Sequence, residues 1–223
     1  MQTNLYQITP DDQPALAEIG ALLRAGGLIG IPTETVYGLA ANALDGQAVA
    51  KIFQAKGRPQ DNPLIVHIAA FSQLYPLVGE VPTQAIRLAR AYWPGPLTMI
   101  LPKSPAIPEE VSAGLDTVAV RMPSHPLARA IIQAAGVPLA APSANLSGSP
   151  SPTTAQHVLA DMAGRIQAVV DGGPCSVGVE STVVTLASPC PRLLRPGGIT
   201  PEQLRAVLGK VEIDRAVEEP VSY

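Results

Sequence analysis

The chain has 223 residues, 47% hydrophobic and 15% charged, which excludes a disordered polypeptide and leaves enough apolar surface for a single sizeable core. Its net charge of −3 excludes a surface that coats nucleic acid by neutralising many phosphates, so any phosphate chemistry falls to a few local cations. Cys175 and Cys190 have neither zinc-site spacing nor the number needed for a disulfide framework and are read as reduced. The N-terminal residues show no cationic segment followed by an apolar one, and no apolar run approaches the roughly 18 residues that span a bilayer. A soluble, cytoplasmic protein without membrane contact is expected.

From the N-terminus, Asp11 to Arg24 predicts an amphipathic helix with acidic cap candidates, Leu16, Ile19, Leu22 and Leu23 on one face, and a stop at Gly26-Gly27. Leu28 to Ile31 predicts a buried strand that ends at Pro32, so Thr33-Glu34-Thr35 sits just past a strand exit. Asp45 can cap a second helix, which Gly57 and Pro59 terminate, leaving Lys56 and Arg58 on either side of its C-terminus. Further strands are expected at 64–68, 97–101, 118–122, 139–141, 168–170 and 181–186, and helices at 84–92, 126–135, 154–163 and 201–208. This alternation predicts an α/β fold, a sheet covered by helices, whose strand order is not readable. The 24 prolines fall singly between apolar segments and fix turns. Composition shifts near Val211, so one domain over 1–210 and a polar, acidic tail or linker stub over 211–223 are expected.

Polar groups recur at the margins of these strands. Lys56-Gly57-Arg58 places two cations within three residues on a turn-forming glycine, a mixture suited to phosphate, since arginine offers a rigid fork of donors and lysine a point charge. The alternative is a pair of solvated cations favouring a helix C-terminus. Thr33-Glu34-Thr35 is either a ligand-gripping loop or a self-satisfied turn. His67, opposite Val66 and Ile68 on its strand, is structural or bonds a substrate, with no partner set for a metal. Arg121, near the C-terminal end of an apolar strand, binds a carboxylate or pairs with a nearby acid. Ser143-Ala144-Asn145 follows another apolar strand as a binding rim, without the Gly-x-Ser-x-Gly turn of a hydrolase. Gly178 to Val184 and Leu193 to Gly197 continue the theme, and both the Walker and the Rossmann glycine patterns are missing.

Taken in series, PTETVYGLAANA, KGRPQDNPLIVH, WPGPLT, VAVRMP, APSANLSG, GVESTVV and LLRPG resemble the YrdC family, the threonylcarbamoyl-AMP synthases, over about Leu16 to Leu208. The resemblance implies a three-layer α/β fold with a twisted mixed sheet flanked by helices around a large cavity. It also implies a nucleotidyltransferase that joins L-threonine, bicarbonate or CO2, and ATP with release of pyrophosphate. The family's Lys-x-Arg and distant Ser-x-Asn fall on Lys56, Arg58, Ser143 and Asn145. Its nucleotide contacts fall on Arg58, Asn62, Thr117, Ser143, Ser151 and Arg195, and its threonine contacts on Thr35, His67, Arg121, the backbone of Ala141, and Ser181. Mg²⁺ is expected with the ATP, bridging the triphosphate, and no protein metal site is expected. The product is expected to feed the tRNA threonylcarbamoyl-transferase machinery. Two other functions stand beside this one: an RNA-binding module of the same fold, and a domain forming a carbamoyl-adenylate from another acyl donor. Some family members carry a second C-terminal domain joined by a linker, and a sequence ending at Tyr223 is expected to be either the short, single-domain form or the longer form cut in its linker.

Overall fold

The computed structural model describes residues 1–218; residues 219–223 lie outside the described residues. The strands are β1 (Asn4–Gln7), β2 (Ile29–Ile31), β3 (Gly38–Asn42), β4 (Ile65–His67), β5 (Leu97–Pro102), β6 (Thr117–Arg121), β7 (Leu139–Ala140), β8 (Ala168–Asp171), β9 (Thr182–Thr185), β10 (Arg192–Arg195) and β11 (Glu212–Ile213). The α-helices are α1 (Gln13–Arg24), α2 (Gly46–Lys56), α3 (Thr83–Tyr92), α4 (Glu109–Ser112), α5 (Pro126–Ala135), α6 (Ala155–Met162), α7 (Pro201–Leu208) and α8 (Arg215–Glu218).

Local chemistry sets the helix ends. The Asp12 carboxylate accepts from the Ala15 amide, Asp45 from those of Gln47 and Ala48, and Thr154 from that of His157, each satisfying donors that a helix leaves free. Gly57, with φ of 64°, closes α2 by sending its amide to Gln54 and Phe53.

The strands form one mixed sheet in the order β1-β8-β2-β3-β7-β4-β6-β5-β9-β10-β11. Side chains alternate between its two faces. Ile29 and Ile31, Ala40, and Ala168 and Val170 pack with α1 and α5, while their neighbours Leu39, Ala41 and Val169 pack with α2, α3 and α6 on the other side. Helix, sheet and helix therefore make the three layers. The α1–α5 layer covers β8, β2, β3 and β7, and β4, β6 and β5 contribute no residue to its cluster. That uncovered stretch of sheet is where the cavity forms.

Four strands escaped the sequence pattern, β1, β3, β10 and β11, and the first two did so for opposite reasons. β1 (NLYQ) is largely exposed at the sheet edge, held by parallel pairing to β8 rather than by apolar burial. β3 (GLAAN) is buried but built from small residues of low strand propensity, and its place is set by antiparallel pairing to β2 and β7. The stretch 211–223, expected as a tail, begins inside the fold: Val211 is buried, Glu212 and Ile213 pair in parallel with Arg192 and Leu193, and α8 follows up to Glu218. The described part of that stretch belongs to the domain.

Gly20 marks the closest approach of α1 to α5, since a Cβ there would stand 2.4 Å from the Ala134 carbonyl oxygen. Backbone cannot yield as a side chain can. Gly20→Ala is expected to destabilise the fold by about 1–3 kcal/mol despite the better helix propensity of alanine, read as a lowered midpoint in urea.

Candidate active site

A cavity of about 390 Å³ opens over the uncovered sheet. Its floor follows β4. His67 stands opposite Arg121 on β6 and Leu139 on β7, and Arg121 stands opposite Thr98 on β5. β9 runs parallel to β5 with Thr182 level with Leu97, so the Ser181 hydroxyl meets that of Thr98 at 2.8 Å. Pairing register thus gathers His67, Arg121, Thr98 and Ser181 at one end of the floor. Asn62 precedes β4 at the other end, where Arg58 and Ser143 also line the wall. At strand spacing the five residue steps from Asn62 to His67 span at most roughly 16 Å, a length that fits two reactants end to end.

Glu34 and Arg121 join the first end together. The Glu34 carboxylate pairs with Arg121 Nη2 through one oxygen, and its other oxygen accepts from the amide and hydroxyl of Ser124. Arg121 Nη1 donates to the Thr35 hydroxyl at 2.7 Å and Nε to the Gly95 carbonyl at 3.3 Å. Both charged groups are buried, at 3% and 5% exposure. Burial, then the positive charge of Arg195, lowers the Arg121 pKa, and the bonded Glu34 carboxylate holds the guanidinium charged. Of the two readings left open for Arg121, the structure shows the pairing with a nearby acid; these bonds use three of the five N–H donors of a guanidinium, and Arg121 also lines the cavity.

His67 is buried, and its Nδ1 lies 3.2 Å from the Ile65 carbonyl. Burial presses its pKa down to about 4, so the imidazole is neutral near pH 7 and interacts by hydrogen bonding rather than by charge.

Lys56 does not line the cavity, contrary to the expectation of a free phosphate grip. It is 2% exposed, and its ammonium donates to the Ser143 carbonyl, to the Asn145 carbonyl at 2.7 Å and towards Asn145 Oδ1 at 3.5 Å. Asn145 is turned inward too, its amide nitrogen donating to Leu146 and Ser149 carbonyls. The Lys-x-Arg and Ser-x-Asn elements are therefore one unit, in which Lys56 and Asn145 fix the 143–149 turn while Arg58 and Ser143 face the ligand space. Burial, then the charge of Arg58, lowers the Lys56 pKa to about 8. Arg58 lies over the Phe53 ring at 5.2 Å, and its buried Nε has no partner.

Arg195 closes the far wall. Its Nε donates to the Ser181 carbonyl at 3.0 Å, Nη2 to the Ser181 hydroxyl at 3.1 Å, and Nη1 to Glu180 at 2.6 Å. The other Glu180 oxygen accepts from the Ser151 hydroxyl at 3.0 Å. Gly197 makes this possible: a Cβ there would stand 2.4 Å from the Thr182 amide and 2.6 Å from the Glu180 carbonyl. That close approach explains the Arg-Pro-Gly sequence.

Of the residues named from the sequence, Thr35, Arg58, Asn62, His67, Arg121, Ala141, Ser143, Ser181 and Arg195 line the cavity. Lys56, Asn145 and Ser151 stand behind it, bonded as described. Thr117, at the opposite end of β6 from Arg121, does not line it. Glu34, Thr98 and Glu180 were missed as site residues. Glu34 had a signal, a carboxylate between two threonines at a strand exit; Thr98 and Glu180 fall within the segments WPGPLT and GVESTVV, but only strand register shows what they touch.

Two measurements test this geometry. Lys56→Met, close in shape, leaves two buried carbonyls without their donor and is expected to cost about 2 kcal/mol or more in urea unfolding. His67 has a folded pKa of about 4, below the unfolded value of 6.5, so its contribution is complete above pH 6.5 and is lost as pH falls towards 4. Wild-type protein is expected to lose about 3 kcal/mol more stability than His67→Asn between pH 7 and pH 4.

Residues 21–197 match the Sua5/YciO/YrdC family model, whose description is telomere recombination. The threonylcarbamoyl-AMP synthase of Bacillus subtilis is 56% identical over 216 residues, 95% of this chain and 62% of that protein. That of Pyrococcus abyssi is 55% identical over 195 residues, 87% of this chain and 57% of that protein. A crystal structure of P. abyssi Sua5 complexed with L-threonine superposes with a TM-score of 0.94 at 49% identity, covering 100% of this chain and 65% of that one. The chain thus spans about three fifths of the length of these relatives. By this family match and these identities, the chain belongs to the Sua5/YciO/YrdC family.

Proposed function

We propose that this chain forms L-threonylcarbamoyl-AMP from L-threonine, bicarbonate or CO2, and ATP, releasing pyrophosphate, and that the product is passed to the tRNA threonylcarbamoyl-transferase machinery. The observation that carries the reading is one cavity with an Arg121-centred polar end and an Arg58–Ser143 cationic end, in a chain similar to a protein solved with L-threonine. The relatives' names favour it over an RNA-binding module or another acyl donor.

In this reading the two unused N–H groups of Arg121 take the threonine carboxylate, with Thr35 and Ser181 offering hydroxyls and neutral His67 and the Ala141 backbone completing the pocket. The amine, once deprotonated, forms a C–N bond to CO2. A carbamate oxygen then attacks the α-phosphorus of ATP while the bond to pyrophosphate breaks. No protein nucleophile is required, so the chain acts by positioning and charge neutralisation. Arg58, Asn62, Ser143 and Arg195 hold the nucleotide, with Lys56, Asn145 and Ser151 as their supports; Thr117 has no part in it. Carbamates lose CO2 in water, and the recessed floor limits that loss.

Mg²⁺ enters with the nucleotide and supplies neutralisation of phosphate charge. Among the described residues no group of three or more His, Cys, Asp or Glu is placed to hold a metal ion.

Mass spectrometry of the protein with ATP, bicarbonate and L-threonine is expected to detect threonylcarbamoyl-AMP, and none when threonine is omitted. Pyrophosphate release indifferent to threonine would sink the proposal. Arg121→Lys keeps a charge against Glu34 but removes the fork, and is expected to raise KM for threonine about tenfold while leaving KM for ATP within about threefold. Equal shifts in both would remove Arg121 from the carboxylate site.

A further inference from the structure

Glu180 is the one carboxylate among the described residues that line the cavity. Its oxygens sit on two groups assigned above to the nucleotide, Arg195 Nη1 at 2.6 Å and the Ser151 hydroxyl at 3.0 Å. Neither contact is deep: the Arg195 and Glu180 side chains are 36% and 40% exposed, so the pair can part without leaving a stranded charge in the core. The contrast with Glu34 is direct. Glu34 is buried, both its oxygens are held by the fold, and it serves the arginine it touches. Glu180 is partly solvated, and it occupies the hydrogen-bonding positions that an incoming anion needs.

Gly178 has φ of 74° two residues before Glu180, and Val177 and Val179 on either side of it are exposed, so residues 177–179 have little packing to break if the Glu180 side chain moves. The Val177 amide is nonetheless tied to the Glu34 carbonyl at 2.8 Å, and Arg195 is tied to the Ser181 carbonyl at 3.0 Å, so the surroundings stay fixed when the carboxylate swings away.

We propose that Glu180 is a built-in anion of the phosphate subsite: it occupies Arg195 and Ser151 in the free protein, a substrate phosphate displaces it, and its return expels the pyrophosphate product. This rests on the nucleotide assignment of Arg195 and Ser151 given above. A carboxylate and a phosphate compete for the same fork of donors, and a carboxylate that remains close repels a bound polyanion. Glu180 therefore weakens pyrophosphate binding rather than supporting it. The device favours turnover, because a site lined by Arg58, Arg121 and Arg195 would otherwise retain a highly charged product.

The test is isothermal titration of inorganic pyrophosphate into the wild-type chain, Glu180→Gln and Arg195→Ala, with no amino acid, bicarbonate or nucleotide present. Glu180→Gln keeps the shape and removes the charge, and is expected to bind pyrophosphate about tenfold more tightly than wild type, with Arg195→Ala weaker than wild type. Equal thermal midpoints for wild type and Glu180→Gln establish that the folds are comparable; a lowered midpoint is met by repeating the titration with Glu180→Ser below the transition. Unchanged or weaker binding in the charge-removed variant overturns the inference and makes Glu180 a support of Arg195. Absence of pyrophosphate binding in every protein overturns it as well. Failure to form threonylcarbamoyl-AMP would count against the proposed reaction alone, since the titration contains none of its other reactants.

Discussion

The buried ion pair between Glu34 and Arg121 ties the loop after β2 to the end of β6, and the shape of the cavity follows from that tie. Two charges taken out of water are costly, and their attraction offsets the cost only when the remaining donors and acceptors are also met. Here they are: Ser124 supplies two donors to the carboxylate, and Thr35 and Gly95 accept from the guanidinium. A hydrophobic pair of the same volume would hold the loop as firmly. What it would not provide is a guanidinium held in one direction by its partners, with N–H groups to spare, at the edge of the cavity.

The same division of labour appears at the other end of the cavity. Lys56 and Asn145 spend their hydrogen bonds on the 143–149 turn, and Arg58, whose Nε lacks a partner, is left to the ligand space. The Lys-x-Arg spacing produces this split, since αL Gly57 turns the chain between the two residues and sends one side chain inward and the other towards the cavity. Arg195 then bonds Ser181, so the residues assigned to nucleotide and to amino acid share a wall rather than forming separate pockets. Such sharing suits a reaction in which a carbamate oxygen must reach a phosphorus atom.

Charge balance in the cavity is local. Glu34 pairs with Arg121 in the core, Glu180 pairs with Arg195 nearer the solvent, and among the described residues no carboxylate is bonded to Arg58. Burial lowers the pKa of each arginine, that of Arg121 to about 9. The neutral His67 adds a hydrogen-bonding group without adding charge.

By itself the sequence determined what local chemistry can determine. Helix ends followed from the acidic caps at the start of α1, from Asp45 and from Gly57, and most strands from short apolar runs, because caps, glycines and apolar patterning act over a few residues. It also placed the polar loops at strand exits, and the motif series indicated the family. The tertiary structure decided the rest. β3 and β1 exist because partners pair with them, not because their residues favour strands. Strand register alone brings Thr98 to Ser181 and Arg121 beside His67, across separations in sequence that no local pattern records. Whether a cation meets a ligand or a carbonyl was equally beyond the sequence: Lys56 and Arg58 are two residues apart, and only the packing of the 143–149 turn against α2 turned one into a support and left the other facing the cavity.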